Sequence, residues 1–206
     1  NGVQEVVTTN GKVVLKSGFD SVEGIKANDF IIIENGKYGV INDKGEQIIK
    51  PEYEDVKFGT VDSFVAQKDG KVGIVDNEGK TVVNIKYKEI KKLNDDYKQG
   101  YIVIDDNGIY GTVDCANNIV LSNKYTEIKP IYDNGMYAVK GTNGYNVINK
   151  NEEVLTKKEY QDILDIKNNQ IIVKESNKYG IINKTGEQII PCDYEEINFA
   201  TTNSYI

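Results

Sequence analysis

The chain of 206 residues has no histidine, no arginine and no tryptophan, and all 25 of its basic residues are lysine. Without histidine the commonest general base and metal ligand is missing, and no Ser-His or Cys-His pair can be built. Without arginine there is no bidentate fork to grip phosphates or carboxylates. The formal charge of −7 argues against nucleic acid as a partner, because phosphate binding needs a basic surface. Cysteine is almost absent. Cys115 and Cys192 lie too far apart for a zinc cluster and lack the regular spacing of a disulfide framework, so both are expected to be ordinary buried thiols. Two unpaired thiols lean toward a reducing compartment and leave export open. No run of 18 apolar residues exists, so no membrane span is expected. No secretory signal pattern opens the chain either; its first residues already belong to a repeat, so a processing boundary is expected there.

What is present is a sentence that returns. Residues 35–56 read NGKYGVINDKGEQIIKPEYEDV, and residues 176–197 read SNKYGIINKTGEQIIPCDYEEI. The pair Tyr38-Gly39 recurs as Val72-Gly73, Tyr110-Gly111, Tyr145-Asn146 and Tyr179-Gly180, at spacings of 34, 38, 35 and 34. A second ladder, Phe19, Tyr53, Tyr87, Tyr125, Tyr160 and Tyr194, has the spacings 34, 34, 38, 35 and 34. Both ladders share their irregularities, so they mark one repeating unit. Six units result: 1–34, 35–68, 69–106, 107–141, 142–175 and 176–206, read as a single repeat domain.

Each unit carries three apolar runs divided by turn signals. Asn35-Gly36, Asp69-Gly70, Asn107-Gly108 and Ser176-Asn177 mark one hairpin, since such pairs accept the positive φ angles of a tight turn. Asp43-Lys44-Gly45, Asn77-Glu78-Gly79, Lys184-Thr185-Gly186 and Thr9-Asn10-Gly11 mark another. A unit therefore runs strand B, Gly-marked turn, strand C, Tyr-containing loop and strand A, which leads by hairpin into the next unit. KEIKKLNDDYK and KKEYQDILDIK have some helical spacing, but their equivalents elsewhere do not, which leaves room for one helical turn at most. Ile31-Ile32-Ile33, Ile102-Val103-Ile104 and Ile171-Ile172-Val173 are continuous rather than alternating. Such strands are covered on both faces.

The fold expected is all-β: a six-bladed, β-propeller-like ring with about three main strands per blade. An open stack or solenoid of β-hairpin units is the alternative. Residues 3–8 align with a B strand and residues 204–206 with an A strand, so pairing of these segments would seal the ring and hide its sheet edges.

The stretches YGVINDKGEQIIKPEY and YGIINKTGEQIIPCDYEEI resemble the bacterial WG-repeat family: aromatic-Gly, two apolar residues, Asp or Asn, a Gly turn, then Pro near a Tyr followed by acid. Tyr or Val stands where the family has Trp, Gln4-Glu5 replaces the pair in the first unit, and Asn146 replaces one Gly. The resemblance implies a β-repeat protein, often exported or associated with the cell envelope, and leaves the cytoplasm open. It implies no catalytic residues.

Gly39, Gly73, Gly111 and Gly180 are expected to receive an aromatic ring against bare backbone. Tyr53, Tyr87, Tyr125, Tyr160 and Tyr194 are expected to be buried between units, each hydroxyl reaching a backbone group. Asp95-Asp96, Asp105-Asp106, Glu195-Glu196 and the turn Asp76-Asn77-Glu78-Gly79 are expected to serve turns and solvated faces, because the spaced ligands of a calcium loop are missing. No catalytic, cofactor-binding or metal residue is singled out and no cofactor is expected. The functional expectation is a non-catalytic binding or scaffold module for another protein, using the irregular segments 91–100 and 131–136. Carbohydrate or cell-wall glycan binding is the alternative, and a propeller-type hydrolase running on carboxylates, lysine or tyrosine comes third.

Overall fold

Runs of β-branched and aromatic residues between two-residue turns favour short antiparallel strands. The computed structural model describes residues 6–7, 13–15, 18–59, 63–93, 100–201 and 204–205. All their regular structure is strand, and no helix among them is long and apolar enough to cross a membrane. Two compact units divide the chain, Asn1–Glu89 and Ile90–Ile206.

In the first unit, β1 (Val6–Val7) pairs with β2 (Val13–Leu15). Sheet 1 is an antiparallel meander of β3 (Ser21–Lys26), β4 (Asp29–Glu34), β5 (Lys37–Asn42) and β6 (Gln47–Tyr53). Sheet 2 repeats it with β7 (Asp55–Phe58), β8 (Ser63–Lys68), β9 (Lys71–Asp76) and β10 (Thr81–Tyr87). Sheet 3, in which the unit boundary falls, holds β11 (Glu89–Lys92), β12 (Tyr101–Ile104), β13 (Tyr110–Val113) and β14 (Ile119–Tyr125). In the second unit, sheet 4 has β15 (Ile128–Asp133), β16 (Met136–Lys140) and β17 (Tyr145–Asn149). Sheet 5 has β18 (Asp162–Lys167), β19 (Gln170–Glu175), β20 (Lys178–Asn183) and β21 (Gln188–Tyr194), and β22 (Phe199–Thr201) pairs with β23 (Ser204–Tyr205).

Strands B, C and A stand where the repeat places them. The Tyr-containing loop, however, holds a fourth strand, here called D, represented by β3, β7, β11, β15 and β18. Sheets 1, 2, 3 and 5 therefore run D-A-B-C, and sheet 4 runs D-A-B with an irregular segment in place of strand C. The two stretches with helical spacing contain β11 and β18 and, among their described residues, no helix. Backbone pairing to strand A settles the matter there. Pairing of residues 3–8 with 204–206 to close a ring falls largely on residues outside those described.

The repeated Gly has a different reason from the one expected. Tyr38 pairs with Tyr53 and Val40 with Ile49, so strand C carries two residues more than strand B over this interval. The same bulge recurs opposite Gly73, Gly111 and Gly180. The bulge folds strand C onto the glycine. A Cβ on Gly73 would lie 2.6 Å from the Val83 carbonyl oxygen and 2.7 Å from the Ile85 nitrogen. Strand C backbone and the side chain of the facing residue, not an aromatic ring, fill the space; beside Gly111 that side chain is Asn123, whose Oδ1 would lie 2.4 Å away. Beside Gly180 the neighbour includes the Cys192 sulfur, which stands where sheet 1 has Pro51 and sheet 2 has Ile85.

Sheet 4 shows the consequence of losing the Gly. Asn146 brings a side chain, and segment 154–160 keeps only the bridges Ile148–Val154 and Tyr145–Tyr160 instead of a regular strand. Thr156 Oγ1 donates to Asn146 Oδ1 at 3.0 Å, and Asn146 Nδ2 donates to Glu159 at 3.3 Å. These side-chain bonds add to the backbone bonds from Leu155 N–H to the Val147 carbonyl at 2.8 Å and between Tyr145 and Tyr160 at 2.7 and 3.0 Å.

Both faces of the sheets are covered, as the continuous runs require. Ile31, Val40 and Ile49 of sheet 1 pack against Val56, Phe64 and Ala66 of sheet 2, whereas Phe30 and Ile32 pack on the other side with Phe19 and Val22. In sheet 4, Met136 and Ala138 face Ile163, Ile171 and Val173 of sheet 5. Their neighbours Tyr137 and Val139 face Ile102 and Leu121 of sheet 3. Adjacent residues of one strand thus belong to different cores.

Candidate recognition surface

In a D-A-B-C meander the D–A and B–C turns share one end of the sheet. Both irregular segments of the repeat are D–A connections, 91–100 in sheet 3 and 131–136 in sheet 4. Residues 94–99 lie outside the described residues. At the base of that connection, Leu93 is buried and its N–H donates to the Gly100 carbonyl at 3.4 Å. Gly100 has φ +108, and a Cβ there would come within 2.3 Å of the Val113 carbonyl oxygen. Segment 131–136 is a tight hairpin, with Asn134 and Gly135 at φ 49 and 77. Behind its tip the rings of Tyr132 and Tyr137 meet across the strands at 5.0 Å. Burial and the Tyr132 hydroxyl drive the Tyr137 phenol well above its ordinary pKa.

The B–C turns absorb most of the acids and amides that precede them. Asp114 Oδ1 accepts the Ala116 and Asn118 N–H groups at 2.9 and 2.8 Å. Asn149 does the same for Asn151 and Glu153, and Asn183 for Thr185 and Glu187. In the first unit Asp76 bonds Glu78 and Lys80 in this way. Asp105 is likewise spent on the Asn107 and Ile109 N–H groups. That A–B turn is longer than its Asn-Gly signature suggests, and only Gly108, at φ 77, is left-handed there. Glu195 pairs with Lys178, and Asp95-Asp96 lies outside the described residues. Among the described residues no group of acids or cysteines is placed to hold a metal ion.

The residue after the ladder aromatic caps the A–B hairpin at the opposite end. Glu54 accepts the Asp69 and Gly70 N–H groups at 3.1 and 3.0 Å, and Gln161 accepts that of Asn177 at 3.0 Å. Tyr53, Tyr87 and Tyr160 are buried, and a lysine amino group sits 5.2–5.8 Å above each ring. Tyr125 is half-buried, with the Lys124 amino group 5.4 Å above its ring. Tyr194 departs from the expected burial altogether, at 51% exposed. The cysteines depart as well: Cys115 is exposed in a B–C turn and Cys192 is half-buried, and both are free thiols. Partial desolvation by neighbouring atoms raises each thiol pKa, the exposed Cys115 included, helped by Asp114 and Glu175 respectively.

Two residues stand out that the repeat pattern did not flag. Ile119 and Val154 open the C segments of sheets 3 and 4 and are 67% and 59% exposed. Their equivalents are Gln47, Thr81 and Gln188 in sheets 1, 2 and 5, and Val13, 36% exposed, in the first repeat. The signal was present in the aligned units, as apolar residues at a position that is polar in sheets 1, 2 and 5. Glu152, in the turn before Val154, reaches across to sheet 3. It accepts the Ser122 N–H at 2.8 Å and pairs with Lys124. The second unit therefore offers, at one end of adjacent sheets, two exposed aliphatic side chains, a tyrosine-backed hairpin, and the acids Asp114, Asp133 and Glu153.

Several of these carboxyls titrate low. The Lys124 ammonium and Ser122 hold Glu152 below the ordinary range, and the Asn143 and Thr142 N–H groups do so for Glu159. Asn183 and Lys157 lower Glu187. For Asp114, burial acts upward, but the hydrogen bonds from Asn118 and Ala116 outweigh it. A lowered folded pKa contributes stability that is complete above the unfolded value of about 4 and is lost as pH falls through the folded value. Tyr145 has the opposite sign. Burial and the bond from its hydroxyl to Glu127, at 2.8 Å, push its phenol up to about 12. Its contribution is complete below the ordinary phenol pKa of about 10 and is lost as pH rises through the folded value. The melting temperature measured against pH is expected to be flat through neutrality and to fall on both sides, with phenolate absorbance rising on the alkaline side. A melting temperature that keeps rising into strong acid would contradict these assignments.

Likeness to known proteins runs through the fold. No curated protein matches the chain. Among solved structures, a eukaryotic initiation factor aligns over 88% of this chain and 57% of its own, at TM-score 0.52 and 11% identity. Weaker likenesses include Hsv2 of Kluyveromyces lactis, with TM-score 0.43, 11% identity and coverages of 85% and 65%. BamB from Moraxella catarrhalis gives TM-score 0.40, 12% identity and coverages of 91% and 69%. The chain spans 57–65% of the length of the first structures it matches. These likenesses concern the fold alone, a propeller-like repeat of small antiparallel sheets. The family model described as WG containing repeat matches residues 38–71, 110–145, 147–179 and 179–206, more than half of the sequence. With its repeated glycines each receiving a bulged strand, this chain belongs to the WG containing repeat family.

Proposed function

We propose that the chain is a non-catalytic binding module for another protein, its six units acting as one repeat domain, and that the D–A/B–C end of the second unit makes the contact. The observation that carries this reading is the exposure of Ile119 and Val154 in two adjacent sheets, at a position where sheets 1, 2 and 5 have Gln or Thr. Isolated surface aliphatics need no explanation, but two exposed ones at the same repeat position in adjacent sheets do. Acids around them and the net charge of −7 favour a partner with basic side chains flanking an apolar contact. Burial of Tyr53, Tyr87 and Tyr160 beneath lysines leaves those rings closed to sugars, which supports a protein partner over a glycan.

The test compares the wild-type chain with the double variant Ile119→Gln, Val154→Thr, which places there the residue types of sheets 1, 2 and 5. Such surface changes alter stability by only about 0.5 kcal/mol or less. The immobilised wild-type chain is expected to retain a specific protein from cell fractions that the variant does not retain, with equal melting temperatures. Equal retention by both would refute the surface, and retention on peptidoglycan or a glycan array with no protein captured would refute the partner class.

A further inference from the structure

We infer that Asn134 is a site of spontaneous backbone modification, converting to aspartyl and isoaspartyl forms ahead of the other Asn-Gly pairs among the described residues. Four such pairs are described: Asn35-Gly36, Asn107-Gly108, Asn134-Gly135 and Asn143-Gly144. In this chemistry the glycine nitrogen loses its proton and attacks the asparagine side-chain carbon. A new N–C bond forms, the C–Nδ2 bond breaks, ammonia leaves with the proton, and water opens the resulting ring on either side.

Whatever holds the glycine N–H opposes both steps, since a hydrogen bond to the protonated form raises its pKa and pins the turn. Gly36 donates to Asp20 Oδ2 at 3.3 Å. Gly108 donates to the Asp105 carbonyl at 3.0 Å. Beside Gly144, the Glu159 carboxylate holds the N–H groups of Thr142 and Asn143 at 3.1 and 2.6 Å, which pins that turn and sets a negative charge against loss of the glycine proton. Gly135 donates to no acceptor among the described residues. It follows an exposed asparagine at the tip of the β15–β16 hairpin, and its missing side chain leaves the attack unhindered. The one bond at this tip runs from Asn134 Nδ2 to Asp133 Oδ2 at 3.2 Å and leaves the glycine nitrogen alone.

Conversion replaces that bond with two adjacent carboxylates, and the isoaspartyl form adds a methylene to a two-residue turn. The cross-strand pairs Asp133–Met136 and Tyr132–Tyr137 depend on that turn. The hairpin is part of the proposed recognition surface, but the modification does not depend on that reading.

The full chain, held folded in mildly alkaline buffer, is followed by peptide mapping, with isoaspartate detected by enzymatic methylation. The Asn134 peptide is expected to convert while those of Asn35, Asn107 and Asn143 remain largely amide. In the variant Asp20→Ala, which frees the Gly36 N–H, Asn35 is expected to convert as Asn134 does. Conversion of all four at one rate, an intact Asn134 while an unfolded control peptide of the same sequence converts, or an Asn35 indifferent to Asp20→Ala would each overturn the proposal.

Discussion

Gly79→Ala is expected to lower the unfolding free energy by about 3 kcal/mol or more, and Gly70→Ala by only about 1–2 kcal/mol. Both glycines are left-handed, at φ 80 and 70, so both substitutions carry the strain of an L-residue in that region. Gly70 has nothing within 4 Å of an added Cβ, whereas at Gly79 that atom would lie 2.3 Å from the Ile48 carbonyl oxygen. Ile48 belongs to strand C of sheet 1, so the B–C turn of sheet 2 rests on the preceding sheet. The same contact recurs at Gly186, where a Cβ would stand 2.9 Å from the Leu155 oxygen. At the equivalent place in sheet 4 stands Glu152, with φ 64, whose carboxylate grips sheet 3 through Ser122 and Lys124. The measurement is a pair of urea denaturation curves. Equal losses would mean that the glycine serves its own turn only, and that contact between sheets does not select it.

Ile171→Ala and Ile172→Ala are expected to destabilise by similar amounts, about 2–5 kcal/mol each. The two residues are adjacent in β19, so their side chains leave opposite faces of the sheet. Ile171 packs with Met136, Ala138 and Tyr160, and Ile172 with Ile181 and Ile197. A sheet with one wet face would show a large cost at one position and almost none at the other. Denaturation of the two single variants separates these cases directly. A negligible effect at either residue would remove the argument that both faces are covered.

How much of the fold was legible beforehand differs residue by residue. Turn chemistry is local, so Asn35-Gly36, Asp69-Gly70 and Asp43-Lys44-Gly45 marked their hairpins correctly. The continuity of Ile31-Ile32-Ile33 and Ile171-Ile172-Val173 announced two buried faces, and the clusters on either side bear that out. Strand D was hidden because it is mixed in character and, in sheets 2 and 3, short. Asp55–Phe58 and Glu89–Lys92 have four residues each, with lysines that read as loop. Asn107-Gly108 misled for the opposite reason: an Asn-Gly pair fits a two-residue turn, but Asp105 gathers the N–H groups into a longer one. On the proposed surface, 131–136 was flagged by its composition, whereas Ile119 and Val154 needed the aligned units and their exposure together.

Period, turn positions and the alternation of cores were written in the order of residues, because each depends on backbone geometry over a handful of neighbours. The need for glycine at 39, 73, 111 and 180 was equally visible, but its cause was not. That cause is a bulge in a strand some ten residues away, and only the folded pairing shows that backbone occupies the space. The same holds for Tyr194, whose ladder position promised burial and whose surroundings left it open. A side chain's place in a repeat determines which way it points, while what covers it depends on the neighbouring sheet.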